Sequence, residues 1–257
     1  MGRSVQVPAR PHRLVSLVPS QTELLFSLGL QDRLAGLTRY CLHPEQARSQ
    51  VSVIGGTKRI KPEKVAAVQP DLIIGNKEEN DRESIAALEG SCATWMSDIE
   101  TFADALDMIR CVGELTQTDA AARELVAHIQ AAWKDLPDAG GQSVAYLIWQ
   151  KPHMAVGSQT FIHSVFEQLN LRNVFADRPR YPEITLEELR ERKPDWVLLS
   201  SEPFPFTDRH VDEFREALPG SSTTLVDGEM FSWYGSRLAL APDYFHELLP
   251  TLLRRAA

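Results

Sequence analysis

The sequence predicts an α/β fold made of two Rossmann-like lobes, each a mostly parallel sheet with flanking helices, bridged by one long backbone helix. Three observations carry this. Short apolar runs alternate with helical periodicity through most of the chain, the pattern of βα units. The chain also repeats itself: Glu63 followed by Pro70-Asp71-Leu72-Ile73-Ile74 returns as Glu187 followed by Pro194-Asp195-Trp196-Val197-Leu198. Ser20-Gln21-Thr22, leading to Leu28-Gly29-Leu30, returns as Ser158-Gln159-Thr160, leading to Leu169-Asn170-Leu171, and Arg39-Tyr40 returns as Arg180-Tyr181. The echoes keep their order but not their spacing, which means two diverged halves and no array of short units. Third, one unbroken helical stretch lies midway. The organisation expected is residues 1–115 as the first lobe, 116–137 as the linking helix and 138–257 as the second lobe.

The elements follow in order. Arg13 to Val18 is a short apolar strand, and Pro19-Ser20 opens a helix that puts Leu24, Leu25 and Leu28 on one side before Gly29 stops it. Leu34 to Leu37 is a strand, and Tyr40 to Gln50 reads as a loop. Lys61-Pro62-Glu63 starts a helix with Pro at a favoured first-turn position, Pro70 ends it, and Asp71 to Gly75 is a buried strand. Ser84 to Leu88 reads as helix, Ala93 to Met96 as strand, and Phe102 to Leu115 as a helix with Phe102, Leu106, Ile109 and Val112 along one side.

From Thr118-Asp119 the residues Leu125, Val126, Ile129, Ala132, Trp133 and Leu136 hold helical spacing until Pro137-Asp138-Ala139-Gly140-Gly141 breaks it. About 18 residues make a rod of roughly 27 Å, and this is the expected bridge. Val144 to Trp149 and Met154 to Gly157 are then strands, and Thr160 to Leu169 is a helix. Thr185 and Glu188 form a capping box. Trp196 to Ser200 and Thr224 to Val226 are strands, with Val211 to Leu218 and Asp243 to Arg254 as helices, so the second lobe is expected to copy the first.

Composition removes several classes of function. The 257 residues contain 43% hydrophobic and 24% charged side chains, as soluble globular proteins do. A net charge of −8 without a Lys/Arg cluster speaks against a nucleic-acid partner. Cys41, Cys92 and Cys111 are too few and too scattered for a disulfide framework. No run is long and apolar enough for a membrane span, and the start of the chain carries no export signal. The expected location is therefore periplasmic or cell-surface if a signal was trimmed, and cytoplasmic if the chain is complete as written.

The site candidates come from aromatic residues at strand ends. Open α/β sheets bind ligands at the carboxyl ends of strands, and Met230 to Arg237 follows such a strand with Phe231, Trp233, Tyr234 and Arg237. Trp149 ends another strand, and Tyr40 and Tyr181 occupy matching places in the two halves. Together these rings are expected to line a cleft for a large, flat, partly apolar ligand, with Arg237 pairing an acidic group on it. Glu63 and Glu187, one per half in a first helical turn, are read as paired docking points for a basic partner. No nucleophile elbow, zinc-protease helix or phosphate-binding lysine motif occurs. Gly55-Gly56-Thr57-Lys58 reads as a turn, and Cys41 with His43 does not complete a metal site. Asn76 to Asn80 is a solvated loop or a polar edge of the cleft.

The segments RLVSLVPSQTELLFSLGL, PEKVAAVQPDLIIG, RYPEITLEELRERKPDWVLLS and GEMFSWYGSR, with the long helix between the halves, resemble the cobalamin-binding proteins of ABC importers. These belong to the helical-backbone class of substrate-binding proteins that also serves siderophores, haem and metal ions. The resemblance implies a non-catalytic receptor for cobalamin or another metal chelate, with an ABC permease as partner, and the chain is expected to be a monomer. It places Tyr40, Trp149 and Tyr181 against the ligand, the Phe231 to Arg237 segment on another wall, and Glu63 and Glu187 on the permease. Where the family carries tryptophans this chain shows Thr57 or Lys58 and Asn76, implying a more polar pocket, and the His-rich set of the metal-ion branch is missing. The rival expectations are a cytosolic enzyme of tetrapyrrole or cofactor processing, marked by a paired acid and base, and a degenerate interaction module.

Overall fold

A computed structural model describes residues 4–88 and 90–256. The chain folds into two compact units. One comprises Met1–Ile99, Ala103–His128 and Tyr234–Arg237, the other Glu100–Phe102, Ile129–Trp233 and Leu238–Ala257.

The first unit holds strands β1 (Leu14–Ser16), β2 (Leu34–Leu37), β3 (Ser52–Val53), β4 (Leu72–Asn76) and β5 (Ala93–Ser97). They form an all-parallel sheet in the order β3-β2-β1-β4-β5. Every residue of β1 and β4 is buried, as expected of central strands covered on both faces. Its helices are α1 (Pro19–Ser27), α2 (Ala47–Gln50), α3 (Pro62–Ala67), α4 (Arg82–Ala86) and most of α5 (Phe102–Thr116). Helix α6 (Asp119–Ala132) follows, continues as a 3-10 turn over Trp133–Asp135, and is divided between the units after His128.

The second unit carries β6 (Ser143–Trp149), β7 (His153–Ala155), β8 (Arg172–Asn173), β9 (Glu183–Ile184), β10 (Trp196–Ser200) and β11 (Ser222–Val226), with α7 (Phe161–Gln168), α8 (Leu186–Arg192), α9 (Asp208–Ala217), α10 (Gly228–Ser232) and α11 (Ala241–Ala256). Its sheet runs β11-β10-β6-β7-β9, with β8 beside β6. Strands β6, β8, β10 and β11 are parallel, whereas β7 pairs antiparallel with both β6 and β9. The second half is therefore not a copy of the first: a hairpin at β6–β7 replaces a crossover. Ala145, Leu147, Val197, Leu199, Val211 and Phe214 belong to its core.

The sequence echoes have structural causes. Gly29 (φ 74) and Asn170 (φ 52) each end a helix in the left-handed conformation, and the next leucine reaches back five residues, Leu30 N–H to Leu25 O at 3.0 Å and Leu171 N–H to Phe166 O at 2.8 Å. The repeated Pro-Asp likewise follows a left-handed residue, Gln69 or Lys193. Asp71 then accepts the backbone N–H groups of His12 and Arg13 at 2.6 and 3.0 Å just before β1. Asp195 accepts Ser143 N–H at 2.7 Å and Ser143 Oγ–H at 2.5 Å at the start of β6. Each aspartate clips the beginning of its unit's central strand. The Ser-Gln-Thr echo is not equivalent in space: Ser20 to Thr22 lie inside α1, whereas Thr160 is the N-cap of α7 and accepts His163 N–H at 3.2 Å.

Three expectations change. Ala47–Gln50, read as loop, is helical, and the two-residue strands β3, β8 and β9 lie below the length at which periodicity signals a strand. Only half of the Thr185 capping box forms: Thr185 accepts Glu188 N–H at 3.1 Å, but the Glu188 carboxylate turns to Arg178 at 2.8 Å and Arg192 at 3.2 Å, stronger charged partners than a backbone amide. Among the described residues no helix is long and apolar enough to cross a membrane.

Candidate functional site

In the first unit the loops leaving β1, β3, β4 and β5 are tied by one buried polar network. The Asn80 amide donates to Leu17 O at 3.3 Å and Thr57 O at 3.1 Å, and its Oδ1 accepts Asn76 N–H at 2.9 Å. Asn76 Oδ1 accepts the N–H groups of Glu78 and Glu79 at 2.8 and 3.2 Å, while its Nδ2 donates to Ser97 Oγ at 3.1 Å. Gln21 Nε2 joins through Ser97 Oγ at 2.8 Å and Gly75 O at 3.2 Å. Such a network holds loops in one conformation because each member would be costly to leave unpaired. Asn76 and Asn80 are 1% and 5% exposed, so neither belongs to a solvated loop; of the segment only Lys77 is exposed, and it pairs with Asp98 at 2.5 Å.

Tyr40 stands out from this frame, 54% exposed. A Cβ on Gly56 would lie 3.2 Å from the Tyr40 ring, so glycine there leaves room for it, and the Arg39 guanidinium sits 5.9 Å from the ring centre. Gly55 (φ 137) and Gly56 make the expected turn, closed by Gly56 N–H to Arg59 O at 2.9 Å. Cys41 is buried against the hydroxyls of Thr22 and Thr38 at 3.0 and 3.3 Å, and burial pushes its thiol pKa up. Among the described residues no His/Cys/Asp/Glu group is placed to hold a metal ion.

In the second unit Trp149 ends β6 and is 39% exposed, its ring edge-on to Phe204 at 5.7 Å. Tyr181 is half-buried on a loop held by Gly157 N–H to Arg180 O at 2.8 Å and Arg180 N–H to Ser158 O at 2.7 Å. Gly157 is obligatory, since a Cβ would fall 2.1 Å from Arg178 O. Arg180 also donates to Glu100 at 2.8 Å.

The Phe231 to Arg237 segment differs from expectation. It is not an open loop but α10 followed by a 3-10 turn at Ser236–Ala239. The expectation for Phe231 does not hold: it is 1% exposed, with its ring 5.2 Å from Tyr146 and 5.0 Å from Phe245. The helical turn points this ring inward, where its apolar area is removed from water. Trp233, 7% exposed, donates its indole N–H to Glu202 at 2.8 Å, and Tyr234 is 6% exposed. Arg237 is buried in a bidentate pair with Glu23 of α1, at 2.6 and 3.1 Å, so an acidic partner from the protein takes the place assigned to a ligand acid.

Glu202 was missed. It follows β10 in the run Glu202-Pro203-Phe204-Pro205-Phe206, and a carboxylate in a Pro/Phe-rich loop at a strand's carboxyl end is the signal that could have found it. Burial raises its pKa, with Glu229 and Asp227 adding to the rise and the hydrogen bonds from Ser232 and Trp233 opposing it. Glu63 and Glu187 are exposed in the first turns of α3 and α8.

The sequence profile of the family described as periplasmic binding protein matches residues 14–221. The chain is similar to the vitamin B12-binding protein of Vibrio campbellii, with 27% identity over 215 residues that cover 80% of this chain and 77% of that one. It is also similar to an uncharacterized ABC transporter substrate-binding lipoprotein of Bacillus subtilis, 24% identical over 209 residues covering 77% of this chain and 66% of the relative. Among solved structures, a periplasmic heme-binding protein from Roseiflexus sp. RS-1 superposes with a TM-score of 0.78 at 18% identity, covering 96% of this chain and 99% of that one.

Proposed function

The chain belongs to the periplasmic binding protein family, and on that premise we propose that it is the solute receptor of an ABC importer, binding a cobalamin-like or other metal chelate without chemistry of its own. The family match over residues 14–221 carries the reading. The vitamin B12-binding relative supports the ligand class, the ABC transporter substrate-binding lipoprotein supports an ABC permease as partner, and the periplasmic binding protein family supports a place outside the cytoplasm. The cytoplasmic expectation finds no support in them, and the enzyme alternative gives way to the family's binding role.

Within the chain, two exposed rings at the carboxyl ends of parallel strands, Tyr40 after β2 and Trp149 at the end of β6, support the same reading. Tyr40, Trp149 and Tyr181 are the proposed ligand contacts; each offers a flat apolar face, and one aromatic side chain buries roughly 150–250 Å². Trp233, Tyr234 and Arg237 are proposed as supports of the surrounding surface. Glu63 and Glu187 are the proposed permease contacts, being exposed on helical first turns and without a salt-bridge cation among the described residues. The test is to mix the protein with cyanocobalamin, hemin and a ferric hydroxamate at tens of micromolar and follow visible absorbance through gel filtration. At least one chelate is expected to co-elute; elution of all three apart from the protein would overturn the proposal.

A further inference from the structure

Glu202 is a half-buried acid that pairs with no basic side chain among the described residues. Both of its internal donors, Trp233 Nε1–H at 2.8 Å and Ser232 Oγ–H at 2.9 Å, fall on the same oxygen, Oε1. An indole N–H only donates, so Oε1 is fixed as an acceptor, while Oε2 receives no hydrogen bond from the described residues.

The surrounding structure holds that geometry. Ser200 Oγ donates to Glu202 O at 2.5 Å and accepts Tyr146 O–H at 3.0 Å and Glu202 N–H at 3.3 Å. Gly228 is packed so tightly here that a Cβ would lie 2.4 Å from Ser200 Oγ and 2.7 Å from Glu202 Cγ. Glu202 stands just past the carboxyl end of β10, on the same loop as Phe204, whose ring meets the proposed ligand ring Trp149. Burying part of a carboxylate without a cation costs free energy. Asp227 and Glu229 are close enough to act on Glu202 and make the surroundings more negative.

We infer that Glu202 determines ligand specificity: Oε2 accepts a hydrogen bond from an amide or hydroxyl of the bound chelate and disfavours a chelate presenting a carboxylate there. This rests on the receptor reading proposed above and names the ligand chemistry of that site.

The test compares cyanocobalamin, whose rim carries amides, with hemin, whose rim carries two propionates, on wild type and Glu202→Gln at pH 8. Gln keeps an oxygen for Trp233 and Ser232 but turns the outward atom into an N–H donor. The ratio of cyanocobalamin to hemin affinity is expected to fall about tenfold, the size of one hydrogen bond to a charged group. Glu202→Ala, which removes the acceptor and adds no donor, is expected to shift the ratio in the same direction by less, and serves if the Gln variant does not fold. Wild type that binds chelate with a ratio unchanged in both variants overturns this inference alone. Wild type that binds neither probe overturns this inference, and the receptor reading falls with it when the ferric hydroxamate also fails to bind.

Discussion

Removing the Arg237 guanidinium separates a structural from a ligand role for the residue that the sequence assigns to ligand recognition. Arg237 and Glu23 lie in the same compact unit, their side chains only 8% and 18% exposed, with two hydrogen bonds between them. Arg237→Met leaves the Glu23 carboxylate buried without this partner, which for a fully buried pair costs roughly 3–5 kcal/mol. The exposed edge of Glu23 puts the loss at the low end, about 3 kcal/mol after screening. At roughly 2–4 °C per kcal/mol the melting temperature should fall by about 6–12 °C. With two units, calorimetry can resolve two transitions, and the loss should fall on that of the unit holding α1. The double variant Glu23→Leu/Arg237→Met should recover much of it, because an apolar pair replaces a costly buried charge. A melting temperature lowered by less than about 2 °C, together with a chelate affinity reduced more than about tenfold, would refute this reasoning and return Arg237 to the ligand.

Further outcomes are expected. Phe231→Ala should destabilise the second unit by about 3–5 kcal/mol, as truncating a core phenylalanine does, with chelate affinity measured well below the melting point unchanged; a selective loss of affinity would place the ring at the ligand. Asp195→Asn should cost about 1 kcal/mol at neutral pH, since its carboxylate is exposed and hydrogen-bonded to Ser143. The Ser143 hydroxyl and N–H hold the Asp195 pKa below the usual range. That contribution is therefore present above the unfolded value of about 3.9 and fades as pH falls through the lower folded value. Urea unfolding of both proteins from pH 7 to pH 3 checks this, and a gap that widens on acidification would contradict it.

Much of the fold was legible because its central strands are apolar throughout. Leu14 to Ser16, Leu72 to Asn76 and Trp196 to Ser200 are buried along their whole length, and such runs with Pro and Gly at their borders read clearly as strands. The repeated Pro-Asp was visible, but its cause was not: the carboxylates bond backbone N–H groups 58 and 52 residues away, and sequence periodicity carries no signal at such separations. The direction of β7 was hidden for the same reason, because a strand's alternation does not say whether its neighbour runs parallel. At the site, exposed Tyr40 and Trp149 follow from their strand-end positions. Adjacent aromatic residues are harder to assign: Phe231 and Trp233 sit two residues apart, yet a short helix sends one into the core and the other to Glu202. The Arg237 pair was not legible because its partner Glu23 lies 214 residues away, where no local pattern links them.

On the reading proposed above, this chain binds a metal chelate through the rings of Tyr40, Trp149 and Tyr181. The decisive experiment is a visible-absorbance titration of cyanocobalamin, of hemin and of a ferric hydroxamate with wild type and with the Trp149→Ala/Tyr181→Ala double variant. Saturable binding of one probe at one chelate per chain, weakened at least about tenfold in the double variant, is the predicted result. No saturation with any of the three probes, or equal affinity in wild type and variant, would contradict it.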